Sequence, residues 1–311
     1  MTMAIVSVPQ QNWAHELADI DGCEFVVWDF KSDPPRRDID VVVPPYLSKP
    51  TILARLADVP GLRAVQLVTA GYEHALHYLP PGVQLANGHG IHDTSTAELA
   101  VTLALASQRG IPQAVHAQDD GDWLRMAGRP SLADRRCLII GYGAIGHAIA
   151  RRLLAFEAHV TAVASRARAG DELVESVHGI DELATLLPDA EVVFLIVPLT
   201  DATRGLVNAE FLAALPDDAL VVNVARGGVV DTEALIAACA SGRVRAALDV
   251  TDPEPLPADH PLWHTPGVLV TPHVGGASTA FEPRALALLR RELTAFAAGE
   301  ELRHVVAVGG E

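Results

Sequence analysis

The stretch L-I-I-G-Y-G-A-I-G, Leu138 to Gly146, limits what this chain can fold into more than any other. An apolar run of strand length meets three glycines, Gly141, Gly143 and Gly146, and leads into an amphipathic helical pattern over Ala144–Phe156. Each glycine answers a separate physical need. Gly141 permits a tight turn, Gly143 lets the backbone come close to an anion, and Gly146 lets the helix pack against the strand. Helix N-terminal N–H groups, including those at Ala144 and Ile145, then favour a phosphate. A bare G-x-G-x-x-G says little and could serve packing alone. The strand before it and the helix after it make it a dinucleotide-binding turn in a βαβ unit.

Around that turn the sequence alternates strand and helix patterns, the mark of parallel sheets covered by helices. Before it, strand-type runs are read at Ala4–Val8, Glu24–Trp28, Val41–Val43, Ala64–Val68 and Val83–Ala86, with helical stretches at 13–20 and 52–59. After it, strands are expected near Val160–Ala164, Val192–Val197, Leu220–Val224, Ala246–Val250 and Val268–Val270. Helices are read at Ile180–Leu187, Asn208–Leu215 and Thr232–Ala240. A helix near Ser95–Ser107, opened by a capping box of Ser95 and Glu98, is apolar on all sides and suits burial between layers or domains. A linker-like stretch follows at Gln118–Asp134. With 311 residues, half of them hydrophobic, the chain can build two cores. The expected class is α/β with two doubly wound domains. Residues 1–93 and 277–311 form one, the last helix returning to it, and residues 94–276 form the Rossmann dinucleotide domain.

Charge and cysteine content exclude several roles. A formal net charge of -16 opposes a polyphosphate backbone, and no basic face is apparent, so no nucleic-acid partner is expected. Cys23, Cys137 and Cys239 are odd in number and set in apolar stretches, which suits reduced core thiols and a cytoplasmic location. Neither a signal segment nor a membrane span is read. His89 and His92 form H-x-x-H, but in a glycine-bearing loop without a third ligand at suitable spacing. They read as ordinary polar residues, and no metal site is expected.

Three segments carry polar residues at expected strand ends, where open α/β sheets bind ligands. They are V-V-N-V-A-R-G-G with Arg226, A-L-D-V-T-D-P-E-P with Asp249 and Glu254, and V-T-P-H-V-G-G with His273. Singly, each has a plain reading: an ion-pair arginine, a turn carboxylate, a turn histidine. Together with V-T-A-G-Y-E-H (Val68–His74) and N-G-H-G-I-H-D-T-S-T-A-E, they make the chain resemble the D-isomer-specific 2-hydroxyacid dehydrogenases over most of its length. The resemblance is strongest in style to the glyoxylate and hydroxypyruvate reductase type.

That resemblance implies reduction of a small 2-keto acid to its D-2-hydroxy acid by NAD(P)H, in a cleft between the domains. Oxygen charge left by hydride arrival must be protonated, and a histidine is poised to do this near neutral pH. His273 takes that role with Glu254 orienting its ring. Arg226 offers a planar fork to the substrate carboxylate. Further correspondences place Ala70 and Gly71 at the substrate carboxylate, and Val197, Pro198, Thr203, Val224, Ala225 and Asp249 along the cofactor. A homodimer is implied too, in keeping with the buried character of Thr96–Ser107. NAD-dependent members carry an acidic residue about 18 residues after the third glycine. Here that position is Ala164, followed by Ser165 and Arg166, with Arg168 beyond. Without the carboxylate, and with a cation beside it, NADP(H) is expected over NAD(H). Two other readings stay open: a phosphoglycerate dehydrogenase, disfavoured because no phosphate cluster is evident in the substrate half, and a dinucleotide-sensing corepressor without catalysis.

Overall fold

The computed structural model describes residues 3–310 and divides into two compact units. The first comprises the chain up to His92 together with the segment from Thr279 onward, and the second is Asp93–Ser278.

In the first unit, β1 (Ala4–Val8), β2 (Cys23–Val27), β3 (Val41–Val42), β4 (Ala64–Gln66) and β5 (Gln84–Ala86) form a parallel sheet in the order β2-β1-β3-β4-β5. This is the flavodoxin-like doubly wound order. Helix α1 (Gln11–Glu16) and a C-terminal helix, Phe281–Ala297, cover one face through Trp13, Leu17, Leu288, Leu289 and Leu293. Trp28, Leu53, Leu56 and Leu85 fill the other, with the short helix α2 (Glu73–Leu76) adding Ala75. A C-terminal strand, Val305–Val308, pairs antiparallel with β5 and extends the sheet. Its four residues are too few for a pattern of alternation to develop, and the sequence reading missed it.

The second unit opens with α3 (Asp93–Arg109) and α4 (Ile111–Asp119), separated by Gly110 at φ +69°. Helix α3 begins at Asp93, which corrects the expected capping box: Ser95 lies within the first turn and is buried, and Glu98 is exposed. An acidic side chain in the first turn complements the helix dipole, so Asp93 serves where Ser95 was read. Helix α4 also takes the first two residues of the expected linker, because Pro112 suits a helix start. The burial of α3 is met inside its own unit, where Ala97, Ala100, Leu103 and Ala104 join the core beneath β-strands. That burial therefore gives no separate sign of a partner chain.

Strands β6 (Arg136–Ile140), β7 (His159–Ala164), β8 (Arg168–Ala169), β9 (Ser176–Gly179), β10 (Val192–Leu195), β11 (Ala219–Asn223), β12 (Val244–Leu248) and β13 (Val268–Val270) follow. They assemble as β13-β12-β11-β10-β6-β7-β9-β8, parallel except for the β8–β9 pair. Cys137 and Ile139 face a core shared with α3 and α5 (Ala144–Ala155), while Leu138 and Ile140 face a second core. That second core is built with α6 (Leu183–Leu186), α7 (Ala209–Ala214) and α8 (Thr232–Ala240). Burial on both faces explains why these strands read as near-continuous hydrophobic runs. The two-residue β8 is too short to leave such a trace.

Phe194, in β10 beside β6, is fully buried. Phe194→Ala is expected to remove about 3–5 kcal/mol of stability, the usual loss when a core aromatic leaves a cavity. Equilibrium urea unfolding followed by circular dichroism measures it, and a midpoint equal to wild type would refute the packing account.

Candidate active site

Parallel strands start at one edge of a sheet and end at the other, so the loops after β6, β10, β11, β12 and β13 all emerge together. The reversal of strand order falls between β6 and β10, the place where such sheets bind dinucleotides. A Cβ at Gly141, φ +109°, would stand 2.3 Å from the Ile196 carbonyl oxygen, and one at Gly146 would stand 2.2 Å from the Gly141 oxygen. Both glycines are required by protein neighbours. Gly143, the N-cap of α5, has nothing within 4 Å of its Cβ position. Space at that point fits a phosphate approaching the N–H groups at the head of α5, so the residues present suit a dinucleotide. Val197, Pro198 and Thr203 lie in the facing loop after β10, which Thr203 closes by donating from Oγ1 to the Pro198 carbonyl at 2.6 Å.

After β11 the chain is folded back by one buried side chain. Asn223, the buried last residue of β11, accepts the Ala225 N–H at 3.0 Å and donates to the Arg226 carbonyl at 3.0 Å, so that its side chain holds the turn leading into Arg226. Val224 and Ala225 are buried, and Arg226 Nη1 donates to the Ala225 carbonyl at 2.6 Å. Gly227 then passes so close to the next loop that a Cβ would sit 1.9 Å from the Thr251 carbonyl oxygen. This contact draws the Arg226 loop against the one carrying Glu254. The sequence signal was available, since asparagine at a strand end favours such local turns.

Asp249, just beyond β12, is buried and organises the segment after β13. Its Oδ1 accepts from Thr271 Oγ1 at 2.6 Å and from the Val274 N–H at 2.9 Å, and Oδ2 accepts the Gly275 N–H at 2.8 Å. Its carbonyl takes the His273 N–H at 2.8 Å. His273 is thereby held at φ +52°, a left-handed conformation rare outside glycine and costly unless its surroundings impose it. From there its Nδ1 meets Glu254 Oε1 at 2.6 Å.

The pair's electrostatics agree from both ends. Hydrogen bonding to Glu254 raises the His273 pKa, against opposing effects of partial burial and the Arg226 charge. The same bond lowers the Glu254 pKa, with the charges of His273 and Arg226 acting the same way. Both shifts act in favour of a carboxylate facing an imidazolium, while the Arg226 charge supports the carboxylate and opposes the imidazolium. Asp249 adds a further negative charge that favours the imidazolium. Nδ1 being engaged, Nε2 is the nitrogen able to exchange a proton with a substrate.

Other expected site residues are placed separately. Ser165 and Arg166 are exposed directly after β7, which ends at Ala164. Arg168 instead turns back to the glycine turn, donating to the Tyr142 carbonyl at 2.6 Å. Ala70 and Gly71 belong to the first unit, in a loop held by its carbonyls: Asn87 Nδ2 donates to Ala70 and Thr69 Oγ1 to Gly71, both at 2.8 Å. His92 is buried with Nε2 3.0 Å from the Val68 carbonyl, and His89 stacks on His304. Asn223, Gly227 and Thr271 were not singled out from sequence.

The family model for the NAD binding domain of D-isomer specific 2-hydroxyacid dehydrogenases matches residues 101–275. The glyoxylate reductase/hydroxypyruvate reductase of Mus musculus is 32% identical over 280 residues, 84% of this chain and 84% of that protein. The D-3-phosphoglycerate dehydrogenase of Archaeoglobus fulgidus is 34% identical over 230 residues, 72% of this chain but 43% of that one. Among solved structures, a D-isomer specific 2-hydroxyacid dehydrogenase from Xanthobacter autotrophicus, in complex with NADPH and MES, superposes with a TM-score of 0.80 at 30% identity, covering 99% of this chain and 98% of that one. With a matching family model over more than half its length and relatives of this identity and coverage, the chain belongs to the D-isomer specific 2-hydroxyacid dehydrogenase family of oxidoreductases.

Proposed function

We propose that this protein reduces a small, unphosphorylated 2-keto acid to the D-2-hydroxy acid, with NADPH preferred over NADH. The observation that carries the reading is the 2.6 Å bond between His273 and Glu254 within the field of Arg226. A bound reduced nicotinamide would supply the hydride to the keto carbon. As the carbonyl bond opens, its electron pair moves onto oxygen, and His273 gives that oxygen the Nε2 proton. Glu254 keeps the ring oriented and charged until the transfer. Arg226 binds the substrate carboxylate and stabilises the developing oxyanion. Asp249 acts as a positioning residue, fixing the backbone that presents His273.

Glyoxylate or hydroxypyruvate is favoured by the mammalian reductase that matches across 84% of both chains, whereas the phosphoglycerate dehydrogenase match leaves most of that relative unpaired. The cofactor preference is supported by Ala164 at the end of β7, with no carboxylate to repel a 2′-phosphate, and by the exposed Ser165 and Arg166 beside it. NADPH in the Xanthobacter autotrophicus relative is in keeping with this. No described helix is long and apolar enough to cross a membrane, and the three cysteines are buried and unpaired, which supports a cytoplasmic enzyme. A homodimer is supported by Ile111, Val115, Trp123 and Leu124, large apolar side chains exposed within one short stretch.

Steady-state kinetics test the reading. kcat/KM is expected to be highest for glyoxylate or hydroxypyruvate among a panel that includes pyruvate, phenylpyruvate and 3-phosphohydroxypyruvate; preference for the phosphorylated acid would overturn the substrate assignment. His273→Ala should lower kcat about 10²–10⁴-fold with cofactor affinity nearly unchanged, the usual range for loss of general acid catalysis. A loss below about tenfold would remove His273 from proton donation.

Glu254→Gln should move the pH profile of reduction toward acid. Reduction needs the imidazolium, so rate falls as pH rises through the His273 pKa. Glu254 holds that pKa up, and a neutral amide brings the fall to lower pH. An unmoved profile would separate the two residues functionally.

NADPH is expected to exceed NADH in kcat/KM by about ten- to a hundredfold, as a charge-assisted hydrogen bond of roughly 1.5–3 kcal/mol implies. Arg166→Ala should remove most of the difference. Equal or better use of NADH by the wild type would contradict the proposal.

A further inference from the structure

We propose that His147, Asp171 and Glu172 form a binding site for one divalent transition-metal ion, of which Zn²⁺ is the representative. The sequence reading expected no metal after weighing only His89 and His92; His147 is 24 and 25 positions from Asp171 and Glu172, and no spacing motif joins them. The fold joins them. His147 stands in α5 directly after Gly146, and Asp171 and Glu172 follow β8. His147 Nε2 is 3.2 Å from Glu172 Oε1 and 3.7 Å from Asp171 Oδ2, and one ligand atom from each residue lies within 4.8 Å of the others.

These separations suit a metal. Zinc bonds nitrogen and oxygen at about 2.0–2.2 Å, so tetrahedral ligand atoms stand roughly 3.3–3.5 Å apart. Both histidine distances are within a few tenths of an ångström of that edge. An ion pair explains them less well. A protonated Nε2 has one hydrogen and can aim it at one acceptor, whereas here carboxylate oxygens of two residues face the same nitrogen. A cation serves both and relieves the repulsion between adjacent carboxylates.

Asp171 is also prepared as a ligand. Its Oδ1 accepts the N–H groups of Leu173 at 2.9 Å and Val174 at 3.2 Å, and the Tyr142 hydroxyl lies 3.0 Å from both oxygens. Oδ2 has no backbone partner, and it is the oxygen turned toward His147. Such supporting hydrogen bonds orient ligands in metal sites. Arg168, the nearby cation, is directed elsewhere: it donates to the Tyr142 carbonyl and packs 5.9 Å over its ring. Side-chain exposures of 28%, 30% and 68% leave the remaining coordination positions to water. A bound ion would clamp the loop after β8 to the head of α5, the two elements that flank Tyr142.

Isothermal titration of the full chain, stripped by chelator dialysis, with Zn²⁺ tests this without recourse to activity. One equivalent is expected to bind saturably and to raise the melting temperature. His147→Ala should abolish both effects, and Tyr142→Phe should weaken binding about 10–100-fold, as loss of a supporting hydrogen bond does. His178→Ala, which removes a separate surface His–Glu pair, should leave binding intact. Circular dichroism verifies that each variant is folded. No saturable binding by wild type, or binding undiminished in folded His147→Ala, would overturn the site.

Discussion

At Gly141 and again at Gly227, two loops at the carboxyl edge of the second sheet approach within a distance that no β-carbon would allow. The first contact joins the loop after β6 to the one after β10, and the second joins the loop after β11 to the one after β12. Without them the edge would splay, and the polar residues following each strand would point away from one another. Backbone packed on backbone is stiff, because neither side can yield by changing rotamer. The glycine turn and the Arg226, Glu254 and His273 group are thus products of one constraint applied twice along a parallel sheet.

A second layer of order comes from buried polar side chains that hold backbone. Asn223 and Asp249 are each nearly inaccessible to solvent, and each satisfies its hydrogen bonds on the turn immediately beyond or beside its own strand. A buried polar group left without partners costs more than its bonds return, so these turns have few alternatives. The left-handed conformation of His273 is sustained in this way. Three hydrogen bonds to Asp249 and one from His273 to its carbonyl fix the turn, and the ring arrives against Glu254 already oriented. The chemistry proposed for the pair draws on that prior ordering together with the shifted acidity of both groups.

Local pattern carried much of this into the sequence. The helix Thr232–Ala240 and the strands Ala4–Val8 and Val268–Val270 were legible to the residue, and other elements to within a few residues, because burial on both faces produces long apolar runs bounded by glycine and charge. Elements too short to establish a period were not legible, as with Arg168–Ala169 and Val305–Val308. The start of α3 was misplaced because Asp93, Thr94, Ser95 and Thr96 all belong to residue types that favour helix starts, and sequence does not rank them. Asp249 shows a subtler limit. Its position at a strand end was clear, but the bonds its two oxygens make depend on a segment more than twenty residues away.

The sequence by itself determined the class of fold and the dinucleotide turn, because these rest on spacing within single βα units, and its resemblance to a known family singled out Arg226, Glu254 and His273 together. Tertiary structure alone decided which atoms meet. It set Nδ1 of His273 on Glu254, turned Asp249 inward as an organiser of that turn, and brought His147 to Asp171 and Glu172. The physical reason is common to all three. Each depends on the distance between loops from different strands, which follows from sheet order and close backbone contact, and a linear pattern of residue types does not encode it.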